Sequence, residues 1–513
     1  MGNNQTYQRK EYLAISNCRM RIIIALTVCV MLTLFSCIPA NKENNNPNIV
    51  FIFADDMGYG DLNCQNPYSM IPTPNLDHLA SQGMRFTDAH TASSVCTPSR
   101  YGLLTGRYCW RTRLKLGVLW SWGKPLIEDD RLTIGGMLQK AGYHTACIGK
   151  WHLGWDWRTA DDIPVDESNC TEIDYTMPIA EGPTSRGFDY YWGDDVISFP
   201  PFAYIKNDKL IKVPTVQKTP GDWGTGDGGA MTDDYRIENV LPDLTEKAIE
   251  YIHDRAKSER PFFLYFPLNA PHGPIAPSEE FQGSTKAGPY GDLVHQIDAV
   301  VGQIIEALEK EGVMENTLII FSSDNGSPAR SGEGHCGEVG SFIERNGYSP
   351  NWPWRGLKAD AWEAGHRVPF IVKWAGQVPA GYVSDEPICL TDFMATVADI
   401  IGVDLPENAA EDSYSLLPIL KGEKLNKPLR EAIIHHSGNG LFAVRQGEWK
   451  LILGLGAGGF SGKWIKSETG QLYDLKKDPE EKNNVYSKHP ELVKKMTALL
   501  EQYKETGRST PVP

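Results

Sequence analysis

The stretch "NIVFIFADDMGYGD", residues 48–61, decides the fold class of this 513-residue chain. Asn48 to Phe53 is a near-continuous apolar run, and it gives way to two adjacent carboxylates, Asp55 and Asp56. The pattern returns three times. "YHTACIGKWHLG" (143–154) is apolar to Ile148 and then presents Lys150 and His152. "PFFLYFPLNAPHGP" (261–274) runs into His272, and "NTLIIFSSDNGS" (316–327) into Asp324 and Asn325. Near-continuous apolar runs of this kind are strands of a parallel sheet covered on both faces. Helix-like segments lie between them, at Leu76–Gln82, Leu132–Ala141, Leu244–Lys257 and Leu293–Lys310. The alternation predicts an α/β chain with a large, mostly parallel sheet flanked by helices.

Sites in such sheets form beyond the carboxyl ends of the strands. Any one of these polar residues alone reads as an ordinary turn or helix-cap residue. Their joint delivery to one edge is harder to dismiss. Asp55, Asp56, Asp324 and Asn325 make an all-oxygen set suited to a hard divalent cation, Ca²⁺ or Mg²⁺, with calcium the better fit. Lys150, Arg100 and the histidines would surround a tetrahedral anion beside that metal and stabilise charge developing on it.

A second stretch, "SSVCTPSRYGLLTGRY" (93–108), places Cys96 at what reads as a helix start, near Arg100. That is a setting in which a thiol is made reactive. The remaining cysteines lack C-x-x-C or zinc-ligand spacing; among Cys64, Cys109, Cys147, Cys170, Cys336 and Cys389 some pairing is open in an oxidising compartment.

The composition is globular, 41% hydrophobic and 22% charged. A net charge of −15 argues against wrapping nucleic acid, which needs a basic face. Arg19-Met20-Arg21 precedes an apolar run from Ile22 to Phe35, the pattern of a secretory signal. Met20 would be a conventional start for it. "LFSC" ending at Cys37 looks like a bacterial lipoprotein cleavage box, with ordinary cleavage near Ala40 the alternative. The expected organisation is a signal over 1–37, an Asn-rich tether over 38–46, a catalytic domain over 47–424 and a C-terminal subdomain over 425–513. The expected location is exported, periplasmic or outer-membrane-associated.

Cys96-Thr97-Pro98-Ser99-Arg100, continued by Leu104-Thr105-Gly106-Arg107, resembles the signature of type I sulfatases. "ADDMGYGD", "GKWHLG", "APHGP", "SSDNGS" and "RGLKADAWEAGHRVP" resemble further blocks of that family in order, so the likeness spans Pro47 to the C-terminus. The resemblance implies an alkaline-phosphatase-like fold and conversion of Cys96 to formylglycine by a maturation enzyme that reads Pro98 and Arg100. It implies Asp55, Asp56, Asp324 and Asn325 as calcium ligands, together with the modified Cys96. Arg100 would support the formylglycine, and Lys150 and Lys358 would hold the sulfate oxygens. His152 would be the base that frees sulfate, and His272 the acid for the leaving sugar oxygen. Without the family pattern, Lys358 reads as a solvated loop lysine.

From about Leu425 the pattern changes. "EAIIHHSGNGLFAVRQGEWKLILG" and "GQLYDLKKDPEEKNNV" read as short antiparallel strands, followed by an amphipathic helix from Pro490 to Tyr503. His435 and His436 read as strand residues without a site role. Substrate choice is expected from the stretches between the blocks: Trp155, Trp157, the 188–204 segment, and 326–354 with His335, Trp352 and Trp354. The expected substrate is a terminal galactose or N-acetylhexosamine sulfated at O3 or O6, in a glycan such as mucin or a glycosaminoglycan. The competing readings are an arylsulfatase or choline-sulfatase specificity, a phosphatase or phosphonate monoester hydrolase, and a non-catalytic glycan-binding protein.

Overall fold

The computed structural model describes residues 46–511 other than 464 and 466. The signal, cleavage-box and start-site readings on residues 1–45 lie outside them.

A ten-stranded sheet organises the chain. Its strands are β1 (Asn48–Ala54), β2 (Met84–Phe86), β3 (His144–Ile148), β4 (Tyr190–Gly193), β5 (Ile205–Lys206), β6 (Lys209–Leu210), β7 (Phe262–Pro267), β8 (Thr317–Ser323), β9 (Phe370–Lys373) and β10 (Tyr382–Ser384). Their spatial order is β10-β2-β9-β8-β1-β7-β3-β4-β5-β6. The central run β8-β1-β7-β3-β4 is parallel, and β9 and β5 join its two sides antiparallel. Ile49 pairs with Phe263 on one side and Leu318 on the other, so the apolar runs lie in register.

The sheet is buried on both faces because every residue of β1 packs. Ile49, Phe51 and Phe53 enter one core and Val50 and Ile52 the other, all 0% exposed. The first core is closed by α2 (Cys96–Thr105), α3 (Ile134–Lys140) and α6 (Phe393–Ile401). The second is closed by α1 (Pro74–Gln82), α4 (Ile237–Arg255) and α5 (Pro289–Lys310). Period-2 alternation of large apolar side chains thus gives each face its own helix layer.

The last part of the chain forms a four-stranded antiparallel sheet of β11 (Ile433–His436), β12 (Phe442–Gln446), β13 (Trp449–Ile452) and β14 (Gln471–Asp474). Helix α7 (Pro490–Glu505) covers it with Val493, Met496 and Leu500, which share a core with Ile434, Val444, Leu451 and Leu472. All seven described cysteines are unpaired. Among the described residues no helix is long and apolar enough to cross a membrane.

Candidate active site

The carboxyl ends of the parallel strands β1, β3, β7 and β8 bring the expected polar residues together. Gly149 makes one of these exits possible. It has φ +125, and a Cβ there would meet the Pro267 carbonyl oxygen at 1.9 Å. The close approach lets the Lys150 N–H donate to that same carbonyl at 2.8 Å. Three non-glycine residues on the site loops also sit in the left-handed region: Asp56 (φ 71), His152 (φ 55) and Ala359 (φ 71). Strain of this kind persists where surrounding bonds hold it. Asp56 is held by its N–H donating to Asp324 Oδ1 (3.1 Å), and His152 by its N–H donating to Asp195 Oδ1 (2.9 Å).

Cys96 is the first residue of α2, 2% exposed. Its thiol donates toward Asp55 Oδ1 at 3.6 Å and accepts from Lys358 Nζ at 3.3 Å. Lys150 Nζ donates to Asp55 Oδ2 (2.7 Å), and Arg100 Nε and Nη2 both donate to Asp324 Oδ2 (3.1 and 2.8 Å). Lys358 Nζ lies 2.5 Å from Asp56 Oδ1, and Asn325 Nδ2 donates to the same oxygen at 2.6 Å. His272 Nε2 stands 3.9 Å from Asp56 Oδ2. Ten residues named from the sequence, drawn from six separate segments, therefore form one cluster, with His152 attached through its neighbours Lys150 and Leu119.

The electrostatics follow from burial. Burial opposes ionisation of Asp55, but Lys150, followed by His272, Arg100 and Lys358, holds its carboxyl well below the usual carboxylate range. Asp324 goes the other way, pushed up to about 7 by burial and then by the Asp55 charge. Burial tends to discharge Lys358, yet Asp56 and the neighbouring Cys96 and Asp55 keep it above an ordinary lysine. The thiol of Cys96 is pushed up to about 12 by burial, with Lys150 and Lys358 only partly offsetting it. The cations beside it do not make this thiol a thiolate, because desolvation outweighs Lys150 and Lys358. The reactive-thiol expectation is corrected on that ground.

The two histidines are neutral for the same reason. Burial, reinforced by Lys150, holds His152 well below its ordinary value, and burial pushes His272 down to about 4. His152 Nε2 faces the Leu119 carbonyl at 2.9 Å, which assigns the ring proton to Nε2. That leaves Nδ1 buried without a partner, a lone pair available to take a proton. His272 Nδ1 faces the Gly273 carbonyl at 2.6 Å, so its Nε2 is the atom turned to the cluster.

The residues fit a divalent cation. Ligand atoms of Asp55, Asp56, Asp324 and Cys96 lie within 4.8 Å of one another, all buried. Asn325 Oδ1 is buried with no partner, although its amide nitrogen is satisfied. An orphaned amide oxygen beside three crowded carboxylates is the donor set of a hard ion. Three cations face these three carboxylates, so a divalent ion would leave an excess of two positive charges, the sign an anionic substrate needs.

The structure changes the reading of the aromatic candidates. Trp155 and Trp157 are 2% and 3% exposed and belong to the core of the sheet. Trp155 packs on Tyr191 and against Gly182, where a Cβ would meet its ring at 2.0 Å, and Trp157 packs edge-on to Trp122 and Tyr175. Neither offers a face to a ligand, which corrects the expectation for both. Trp354 is half-buried, with the Arg367 guanidinium 3.7 Å over its ring and Tyr59 at its edge. Trp352 meets Tyr68 edge-on. His335 is exposed and lines a groove of about 850 Å³ with Trp223 and Ile275. His435 is not an isolated strand residue: its ring stacks on His366 at 3.7 Å, in a buried cluster with His90.

Asp195, inside the 188–204 segment, has a role that its sequence setting did not assign. Strand β4 is the fifth parallel strand and also ends in an acidic pair, Asp194-Asp195. Asp195 is the group that holds the His152 backbone. The signal was present, since "YYWGDD" repeats the strand-then-carboxylates pattern of "IFADD".

The family model described as Sulfatase matches residues 47–403, and that described as N-sulphoglucosamine sulphohydrolase, C-terminal, matches residues 358–506. The chain is 33% identical over 500 residues to an N-acetylgalactosamine-6-O-sulfatase of Bacteroides thetaiotaomicron, covering 90% of this chain and 94% of that protein. It is 30% identical to human arylsulfatase H, covering 92% and 93%. A solved structure described under the metabolism of multiple glycosaminoglycans by Bacteroides thetaiotaomicron superposes with a TM-score of 0.79 at 31% identity, covering 90% of this chain and all of that one. A family model matching most of the chain, joined to relatives matched over more than nine-tenths of their own length, leads to one conclusion: the chain belongs to the sulfatase family of sulfuric ester hydrolases.

Proposed function

We propose that the protein removes sulfate from a sulfated sugar, with the 6-O-sulfate of N-acetylgalactosamine as the first compound to test. The observation that carries this reading is the seating of Cys96 at a helix start, among Lys150, Lys358 and Arg100 and beside three carboxylates. The relative from Bacteroides thetaiotaomicron supports the choice of sugar and position.

Cys96 converted to formylglycine supplies an oxygen nucleophile through its hydrate, whose second hydroxyl allows sulfate to be expelled. Asp55, Asp56, Asp324, Asn325 and residue 96 would hold Ca²⁺, which would supply positive charge to the anion site. The chain's own residues do the rest. Lys150 and Lys358 neutralise sulfate oxygens as they gain charge. Arg100, one turn along the helix that Cys96 starts, is locked by two hydrogen bonds to Asp324 and supplies a further fixed cation to the cluster. His272, with Nε2 toward the cluster, gives a proton to the leaving sugar oxygen; a bound sulfate anion favours its protonation. Nδ1 of His152 takes the proton whose loss releases sulfate.

Sulfate release from a panel of sulfated monosaccharides, varied by sugar and position, tests the reading, with Cys96→Ala as control. The expected result is turnover of the 6-sulfated N-acetylhexosamine, a loss of more than about 10⁴-fold in the variant, and a peptide covering 93–107 that has lost its sulfur. Active protein with an intact cysteine in that peptide sinks the nucleophile assignment. Export and lipidation at Cys37 belong to the same proposal, supported by the N-terminal sequence. Loss of palmitate labelling in Cys37→Ala checks them.

A further inference from the structure

Trp120 is the one exposed tryptophan among the described residues, at 62%. Singly exposed apolar residues need no explanation. What sets this one apart is how its backbone is tied. The N–H of Leu119, the preceding residue, donates to Thr97 Oγ1 at 3.2 Å, next to Cys96. The carbonyl of Leu119 faces His152 Nε2 at 2.9 Å. The residue before Trp120 is therefore clamped between the nucleophile's neighbour and the base. A third tie, Gly117 N–H to the Gly438 carbonyl at 2.8 Å, holds the start of the same loop.

The indole is supported on one side as well. Its ring lies 5.5 Å from that of Phe199, tilted by 40°, and Phe199 meets the His152 ring edge-on at 5.7 Å. Trp120, Phe199 and His152 thus form a continuous aromatic wall leading from solvent to the catalytic cluster. An indole braced by Phe199 on one side and open to water on the other has less rotamer freedom to lose on binding than an unsupported one.

We propose that Trp120, backed by Phe199, is the stacking face for the pyranose ring whose sulfate enters the Cys96 cluster. The inference rests on the sulfated-sugar reading above and deepens it. The axial C–H groups of a sugar present an apolar face that an indole desolvates, while the hydroxyl edges stay available to polar groups. Asp195 completes the arrangement as a positioning residue, since its carboxylate fixes the His152 backbone on the inner side of the wall.

The experiment compares wild type, Trp120→Ala and Trp120→Phe on N-acetylgalactosamine 6-sulfate. It also measures inhibition by inorganic sulfate, which fills the cluster without reaching the wall. The expected result is a rise of about tenfold in KM for Trp120→Ala with kcat little changed, and most of the loss recovered in Trp120→Phe. The sulfate inhibition constant should stay within about twofold of wild type. An unchanged KM overturns the subsite. So does a parallel weakening of sulfate inhibition, because Trp120 would then act only through Leu119 and His152. A wild type inactive on every sulfated sugar refutes the functional reading and the subsite with it. An active wild type with an indifferent Trp120→Ala refutes the subsite alone.

Discussion

Lys358 Nζ lies 3.3 Å from Cys96 Sγ, across 262 residues of sequence, and pairs at 2.5 Å with Asp56. It joins Cys96 to the carboxylate cluster from a loop that is neither strand nor helix. Lys358→Ala is expected to lower kcat/KM by about 10²–10³, the scale of removing one group that stabilises charge in a transition state. Inhibition by inorganic sulfate should weaken in step. Strong sulfate inhibition retained in the variant would contradict a role in holding the anion.

Calcium should stabilise the folded chain. Ligands that bind only the native state raise its stability by about 2.7 kcal/mol at one hundred times Kd. The thermal midpoint is expected to rise with added Ca²⁺ and to fall with a chelator, and Asn325→Ala should blunt the response because Asn325 Oδ1 has no other partner. A midpoint indifferent to Ca²⁺ across a full titration counts against the ion. A response to Mg²⁺ alone would put that ion in its place.

His436 gives a pH signature independent of the site. Burial, followed by Lys115 and Lys504, pushes its imidazole down to about 4. The folded state keeps it neutral in a range where the unfolded chain, with an ordinary value of about 6.5, binds a proton. More protons on the unfolded state mean that stability falls as pH drops from about 6.5 to about 4. His436→Gln is expected to remove that share, up to about 3 kcal/mol at the acid end. Urea-unfolding midpoints measured across this window should fall less in the variant, and identical slopes would show that the group is not neutral when folded.

Trp155 separates core from ligand contact. Trp155→Ala should cost about 3–5 kcal/mol in chemical denaturation, as for other large buried side chains. The KM of the folded fraction should stay within about twofold of wild type. A KM that rises while stability holds would restore the binding role that the 2% exposure speaks against.

How much was legible depends on the range of the interactions. The strands 48–54, 144–148, 262–267 and 317–323 could be read locally, because burial on both sheet faces demands uninterrupted apolar runs. The residues just past them could be placed at one edge from topology alone. Asp55, Asp56, Lys150, His152, His272, Asp324 and Asn325 needed no coordinates. Lys358 needed the family pattern, since a lysine in a loop carries no local mark of burial.

Which groups face one another was decided only by the tertiary structure. An isolated tryptophan in sequence does not say whether its ring is covered: Trp155 and Trp157 fill the core, whereas Trp120, unremarked in the sequence, stands open against Phe199. The same holds for protonation. Cys96 at a helix start beside an arginine reads as a reactive thiol, and burial instead pushes that thiol up to about 12. Local sequence determined the strands and the chemistry at their ends, because backbone geometry and side-chain alternation are short-range. Burial, and with it charge state and access to substrate, came from loops that meet only after the chain has folded.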